Sequence, residues 1–194
     1  MKSVDFSPHL AYHAARRGEA GAGSSSIAGS IAVMDSFSVT CRGPPATAAV
    51  AGAVAPLLRP GDAVLLDGKL AAGKTHFVKA LAAALGSANA VTSPTFAIAH
   101  FYDTAAGRLL HVDAYRLSGP AEFRDLGLDD YFAESITVVE WGTIVADEFA
   151  EPLAIDFDFD AADDSVRVLT FSAAGERWRP AMVALRRQLA ERPA

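Results

Sequence analysis

Residues 63–85 read AVLLDGKLAAGKTHFVKALAAAL, and this stretch decides the fold. It opens on an apolar run, Ala63 to Asp67, of the length and composition that suits a strand buried in a parallel sheet. It closes on a helix over residues 73–85, stopped at Gly86. Between them Gly68, Lys69, Leu70, Ala71, Ala72, Gly73, Lys74 and Thr75 fit G-x4-G-K-[ST] in full. In such a loop the glycines let the backbone curl, so that successive N–H groups point inward at phosphate oxygens. The positive end of the following helix adds to the attraction. Lys74 would bridge the β- and γ-phosphates, and the Thr75 hydroxyl would ligate Mg²⁺. A glycine-rich turn with a chance lysine is the bland alternative, and the full motif with both flanking elements outweighs it. The chain contains no N-K-x-D motif of the kind that selects guanine, which favours ATP.

Outward from the loop, strands and helices alternate. A short strand is expected over residues 37–41 and an alanine-rich helix over 45–58, with Pro44 or Pro45 near its start. Gly61 and Asp62 make a turn. Residues 96–102 and 108–112 read as a hairpin, 122–126 as a short helix with its stop at Gly127, and 136–140 as a second buried strand. Residues 153–160 and 166–171 form another hairpin around 161–164, and 176–191 close the chain as an amphipathic helix. Helices between buried strands indicate an α/β, P-loop NTPase-like three-layer fold with a mostly parallel central sheet and antiparallel hairpins.

The metal of a P-loop also needs an acid at the end of a neighbouring strand. Asp113 follows Leu109 to Val112, and Glu140 follows Ile136 to Val139, so both sit where strands deliver side chains to the ligand crevice of an open α/β sheet. Each acid alone has a plain alternative as a helix or turn cap. Two in one P-loop protein make that alternative weaker.

Composition sets the outer limits. The 194 residues carry 17 Lys+Arg against 23 Asp+Glu, a formal net charge of −6. With 51 % hydrophobic residues but 40 alanines, the core must come from Val, Leu, Ile and Phe, which suffices for one compact domain. No apolar run approaches the ~20 residues of a membrane span. The lone Cys41 excludes an intramolecular disulfide or a multi-cysteine zinc site, and reads as an inert, half-buried thiol. A pI near 5.3 argues against autonomous nucleic-acid binding.

The first 33 residues stand apart, 17 of them Ala, Gly or Ser. A secretory signal is poorly matched, since Gly29 and Ser30 break the apolar run after Arg16 and Arg17. A transit peptide fits the Ser, Ala and Arg content, with Asp5 and Glu19 against it. The favoured reading is a disordered extension ahead of Met34, leaving residues 34–194 as a single domain of net charge −7 once the tail's three basic and two acidic residues are removed.

The order Gly68…Gly73-Lys74-Thr75, then Ser93-Pro94-Thr95-Phe96, then Asp113-Ala-Tyr115-Arg116, then Glu140-Trp141 resembles the TsaE (formerly YjeE) family. Gly61-Asp62 and the segment from Glu122 to Leu128 match its pattern too, so the likeness runs from about Phe37 to Trp141. The resemblance implies a small cytoplasmic P-loop ATPase of the bacterial tRNA threonylcarbamoyladenosine pathway. Such a protein hydrolyses ATP to support a TsaD–TsaB-type complex that transfers a threonylcarbamoyl group to tRNA adenosine, so it reaches tRNA only indirectly. By the same resemblance Thr95 is a switch-I element whose hydroxyl reaches Mg²⁺ or the γ-phosphate, and Asp113 is a Walker-B-type acid acting on Mg²⁺. Glu140 is a switch-II acid that orients the attacking water, with Mg²⁺ also in its reach. Trp141 shapes the nucleotide pocket or the partner surface, unless it is simply core. Tyr115 is a weaker candidate, and Arg116 pairs either with phosphate or with a carboxylate of the domain.

Three residues depart from the family's usual Gly-Asp-Leu-Gly-Ala-Gly-Lys-Thr-Thr. Lys69 replaces an aspartate, which strengthens phosphate attraction but removes whatever the acid did in hydrolysis. Ala71 replaces a glycine and is expected to avoid a left-handed backbone. His76 replaces a threonine and can still donate to an α-phosphate. Nucleotide binding is therefore a firmer expectation than fast hydrolysis. His100 and His111, on no metal-like spacing, read as structural or incidental, as do His9 and His13 in the tail. Arg186 and Arg187 fall on a solvated helix face, or on a contact with tRNA or partner. Two other classes stay open. A small-molecule P-loop kinase would need an arginine-rich lid, and only Arg116 and Arg124 lie between Asp113 and Trp141. A nucleotide-dependent binding module with little hydrolysis is the third.

Overall fold

The computed structural model describes residues 33–89, 91 and 98–191, with the side chains of 33–35 and 174 left aside. The expectations for the tail and for Ser93, Pro94, Thr95 and Phe96 lie outside the described residues. Seven strands form one sheet: β1 (Val33–Arg42), β2 (Ala63–Gly68), β3 (Ala99–Thr104), β4 (Gly107–Asp113), β5 (Ser135–Glu140), β6 (Leu153–Phe159) and β7 (Val166–Ala174). Their order across the sheet is β1-β7-β6-β2-β5-β4-β3. The four central strands β6, β2, β5 and β4 are parallel, and antiparallel pairings flank them on both sides. This is the α/β sheet with antiparallel hairpins that the sequence indicates, mixed as a whole and parallel at its centre.

Period-2 alternation sends successive side chains of these strands into two cores. Val64, Leu66, Leu109, Ile136 and Val138 face one side, where they pack with Val50 and Val54 of α1 (Gly43–Val54), Phe77, Val78 and Leu81 of α2 (Lys74–Ala84), and Met182 and Leu185 of α5 (Arg179–Ala190). Ala63, Leu65, Leu110, Val112 and Val139 face the other. There they meet Phe123 of α3 (Pro120–Arg124), Val145 of the 3-10 segment Gly142–Glu148, and Phe149; Phe132 of α4 (Asp129–Phe132) packs on at the edge. The result is three layers.

Elements differ from expectation mainly at their ends. β1 and β7 extend beyond 37–41 and 166–171 because they pair with each other along their length, with Phe37 stacked on Phe171 at 5.1 Å. Helix α1 begins at Gly43, before both prolines, and continues into a 3-10 turn over Ala55–Leu57. Neither α4 nor the 3-10 segment Gly142–Glu148 is foreseen, being too short for helical periodicity to show. Cys41 is fully buried rather than half-buried, at 1 % exposure. Burial pushes its thiol up to about 11, with a hydrogen bond from Thr47 acting in the opposite direction. In the Gly61-Asp62 turn the Asp62 carboxylate accepts from the Arg59 amide at 2.9 Å and from the Arg177 guanidinium at 2.6 Å. On α5, Arg186 and Arg187 are exposed, and Arg187 pairs with Glu191 one turn on.

Candidate functional site

The site forms at the C-terminal edge of the parallel strands, where β2 leaves the sheet and α2 begins. Gly68 has φ +125, and a Cβ there would lie 2.2 Å from the Phe157 carbonyl oxygen of β6. Only glycine lets the chain turn out of the sheet against that neighbour. Gly73, at φ +107, supplies a second left-handed turn as the residue before α2. The loop between them is exposed at Lys69, Leu70 and Ala71.

Ala71 overturns its expectation. Its φ is +62, and it is one of two non-glycine residues with positive φ among those described. The other is Trp141, at φ +60 and ψ +37. A side chain in this region costs roughly 1–2 kcal/mol. Ala71 lies within the phosphate loop and Trp141 against its lysine, and strain of this kind gathers at functional sites.

Lys74 is only 5 % exposed. Its ammonium donates to the carbonyls of Gly68 at 2.7 Å and Lys69 at 3.0 Å, and lies 3.8 Å from the Trp141 ring centroid. Burial lowers its affinity for the proton. The carboxylates of Glu140, Asp67, Asp113 and Asp156, in that order, pull the other way. Tyr115 packs on Trp141 with ring centroids 5.1 Å apart, so the two aromatics proposed from sequence do meet beside the lysine.

The two strand-end acids are brought side by side, since Asp113 and Glu140 are register partners in the β4–β5 ladder. Their surroundings differ. Glu140 is buried, its Oε2 accepting from the Thr75 hydroxyl at 2.9 Å and its Oε1 contacting His111 Nε2 at 2.9 Å. Asp113 is half-buried and accepts the Tyr115 amide at 3.1 Å, capping the 3-10 turn Ala114–Arg116. Glu140, not Asp113, is therefore in contact with Thr75. His76 donates Nε2 to the Pro44 carbonyl at 3.0 Å, so an α-phosphate contact would have to displace that bond.

Three contributors escape the sequence reading. Of the two readings of His111, structural or incidental, its full burial against Glu140 favours the structural one and adds the partner that the sequence did not show. Asp67 accepts the Gly68 amide at 2.7 Å and the Thr143 amide at 3.1 Å, linking the loop's entrance to the segment after Trp141. It obeys the same strand-end rule that singles out Asp113 and Glu140, so the signal was present. Arg167 of β7 donates Nε to the Ala72 carbonyl at 3.2 Å and steadies the loop from outside. No local signal marks it.

Comparison with known proteins agrees with this geometry. The family model described as threonylcarbamoyl adenosine biosynthesis protein TsaE matches residues 41–169. The tRNA threonylcarbamoyladenosine biosynthesis protein TsaE of Streptomyces coelicolor is 45 % identical over 138 residues, covering 68 % of this chain and 93 % of that protein. Its counterpart from Bacillus subtilis is 38 % identical over 136 residues, covering 70 % of this chain and 84 % of its own. Among solved structures, the crystal structure of YdiB from Bacillus subtilis superposes with a TM-score of 0.66 at 33 % identity, over 79 % of this chain and 96 % of that one. With the strand, loop, helix and strand-end acid in these positions, the chain belongs to the TsaE family of tRNA threonylcarbamoyladenosine biosynthesis proteins.

Proposed function

We propose that the chain is a cytoplasmic, Mg²⁺-dependent ATPase that supports a TsaD–TsaB-type complex in modifying tRNA adenosine. The observation that carries this reading is the Thr75–Glu140 hydrogen bond beside Lys74, within a complete phosphate-loop motif. Hydroxyl, carboxylate and ammonium converge where β2 and β5 end, and these three groups are what phosphoryl transfer asks of a protein.

The residues fit Mg²⁺ in the manner usual for nucleotide enzymes, in which one or two protein oxygens complete a shell of phosphate and water. Thr75 and Glu140 would hold it. Among the described residues no group of three His, Cys, Asp or Glu forms an independent metal site. When bound, the ion neutralises charge on the β- and γ-phosphates. The loop amides and Lys74 bind and orient the phosphates, and Lys74 must exchange its Gly68 and Lys69 carbonyls for phosphate oxygens. Hydrolysis then forms a bond from water oxygen to the γ-phosphorus and breaks that phosphorus's bond to the β–γ bridging oxygen. ADP leaves with the electron pair, Glu140 orients the water, and the water's proton goes to the oxygens of the phosphate that is released.

A kinase is disfavoured by Arg124, whose guanidinium is engaged with Glu148 through three contacts of 3.0–3.1 Å. A binding module with little hydrolysis draws on the strain at Ala71 and the basic Lys69. ATP hydrolysis measured alone, with TsaD–TsaB-type partners and with a panel of phosphoryl acceptors separates the three. Partner-stimulated hydrolysis that disappears in Lys74→Ala is expected. Phosphate transfer to a small acceptor selects the kinase, and nucleotide-dependent partner binding without turnover selects the module.

A further inference from the structure

His111 lies on β4, one strand in from the edge strand β3, with no exposed surface. Its Nε2 is 2.9 Å from Glu140 Oε1, and Glu140 Oε2 accepts from Thr75 at 2.9 Å. A carboxylate offers only acceptors, so the imidazole must donate through Nε2. Its Nδ1 is buried with no hydrogen-bond partner among the described residues. A neutral ring leaves only a lone pair unsatisfied there, whereas a second N–H would be an orphaned donor. A buried imidazole with a single bond at one nitrogen is poorly explained as packing, because an apolar residue would fill the space without leaving the orphan.

The consequence falls on Glu140. Its carboxylate is the first of the charges acting on the Lys74 ammonium. With both oxygens free, the attraction would draw carboxylate and ammonium together and close the space the phosphates need. Holding Oε1 from the sheet side leaves Oε2 aimed at Thr75. We infer that His111 is the positioning residue of the ATPase site: it holds Glu140 toward Thr75 and away from Lys74, so that the acid is preset for metal and water when nucleotide enters. This inference rests on the proposed role of Glu140 in ATP hydrolysis.

Four single variants of the full chain and one double variant, His111→Leu with Glu140→Ala, test it, in partner-stimulated hydrolysis and in calorimetric titration of the ATP-bound protein with Mg²⁺. His111→Leu fills the space but removes the donor. His111→Gln returns an amide N–H near the place of Nε2, and His111→Asn only near that of Nδ1. Glu140→Ala removes what His111 holds. His111→Leu is expected to lower kcat and Mg²⁺ affinity by about 10–100-fold, with KM for ATP changed by no more than about threefold. His111→Gln should recover most of the loss and His111→Asn little. His111→Leu should add nothing once Glu140 is alanine. If the leucine variant fails to fold, as its melting curve would reveal, the Gln–Asn pair carries the comparison. Equal impairment in Gln and Asn, unchanged kcat in Leu, or a further loss in the Glu140→Ala background overturns the inference. Full hydrolysis by Glu140→Ala alone would instead remove the reading of the site on which it rests.

Discussion

The ends of β4 and β5 offer a direct comparison, because Asp113 and Glu140 are register partners on adjacent parallel strands. By sequence they look alike, each an acid after four apolar or nearly apolar residues. In the fold Glu140 is 3 % exposed and tied to both Thr75 and His111, while Asp113 is half-buried and caps a turn. What separates them is the next strand along. β5 adjoins β2, so its end faces the phosphate loop, whereas β4 stands one strand farther out. A step of one strand is roughly 5 Å, enough to decide which carboxylate touches the threonine and which does not.

Substituting each of the two acids is the severest test of that difference. Glu140→Gln keeps the size and loses the charge, and should reduce hydrolysis by about 10²–10⁴-fold while the protein stays folded. Comparable activity of Glu140→Gln and the parent in a phosphate-release assay would erase the distinction between the strands. Lys74→Ala, which removes the charge facing Glu140, should lower turnover by about 10²–10³-fold. Equilibrium binding of a fluorescent ATP analogue would show how much of that loss is in affinity.

Asp113→Asn tests the weaker partner. Its amide oxygen can still accept from Tyr115, so stability should change by less than about 1 kcal/mol and hydrolysis by less than about tenfold. A loss as deep as that of Glu140→Gln would restore Asp113 as the principal acid. The smallest effect concerns the loop. Ala71→Gly relieves a left-handed alanine but adds freedom to the unfolded chain, for a net gain of about 0.5 kcal/mol. Urea denaturation should detect it, and a destabilised variant would mean that the φ of +62 carries no strain.

Much of this site was legible because its signals are local. The phosphate loop is contiguous, and the short apolar runs before Asp113 and Glu140 mark strand ends. The fold followed from alternating strand and helix patterns of ordinary length. Short elements did not, since a four-residue helix such as α4 shows no periodicity to read. Ala71 misled for a different reason. Alanine's own preference opposes a positive φ, and the loop's closure between β2 and α2 overrides it. His111 reads from sequence only as structural or incidental, because nothing local points to Glu140. Its partner lies 29 residues away on another strand.

By itself, then, the sequence determined that a buried strand meets a phosphate loop and a helix, that two acids end neighbouring apolar runs, and that the motif order resembles TsaE. These are properties of contiguous residues, set by steric freedom at Gly68 and Gly73 and by the continuous apolar runs of buried strands. Only the tertiary structure decided that β5 rather than β4 lies beside β2, and hence that Glu140 meets Thr75 with His111 behind it. Strand order is settled by how the whole sheet buries its two faces, and no local run of residues encodes it.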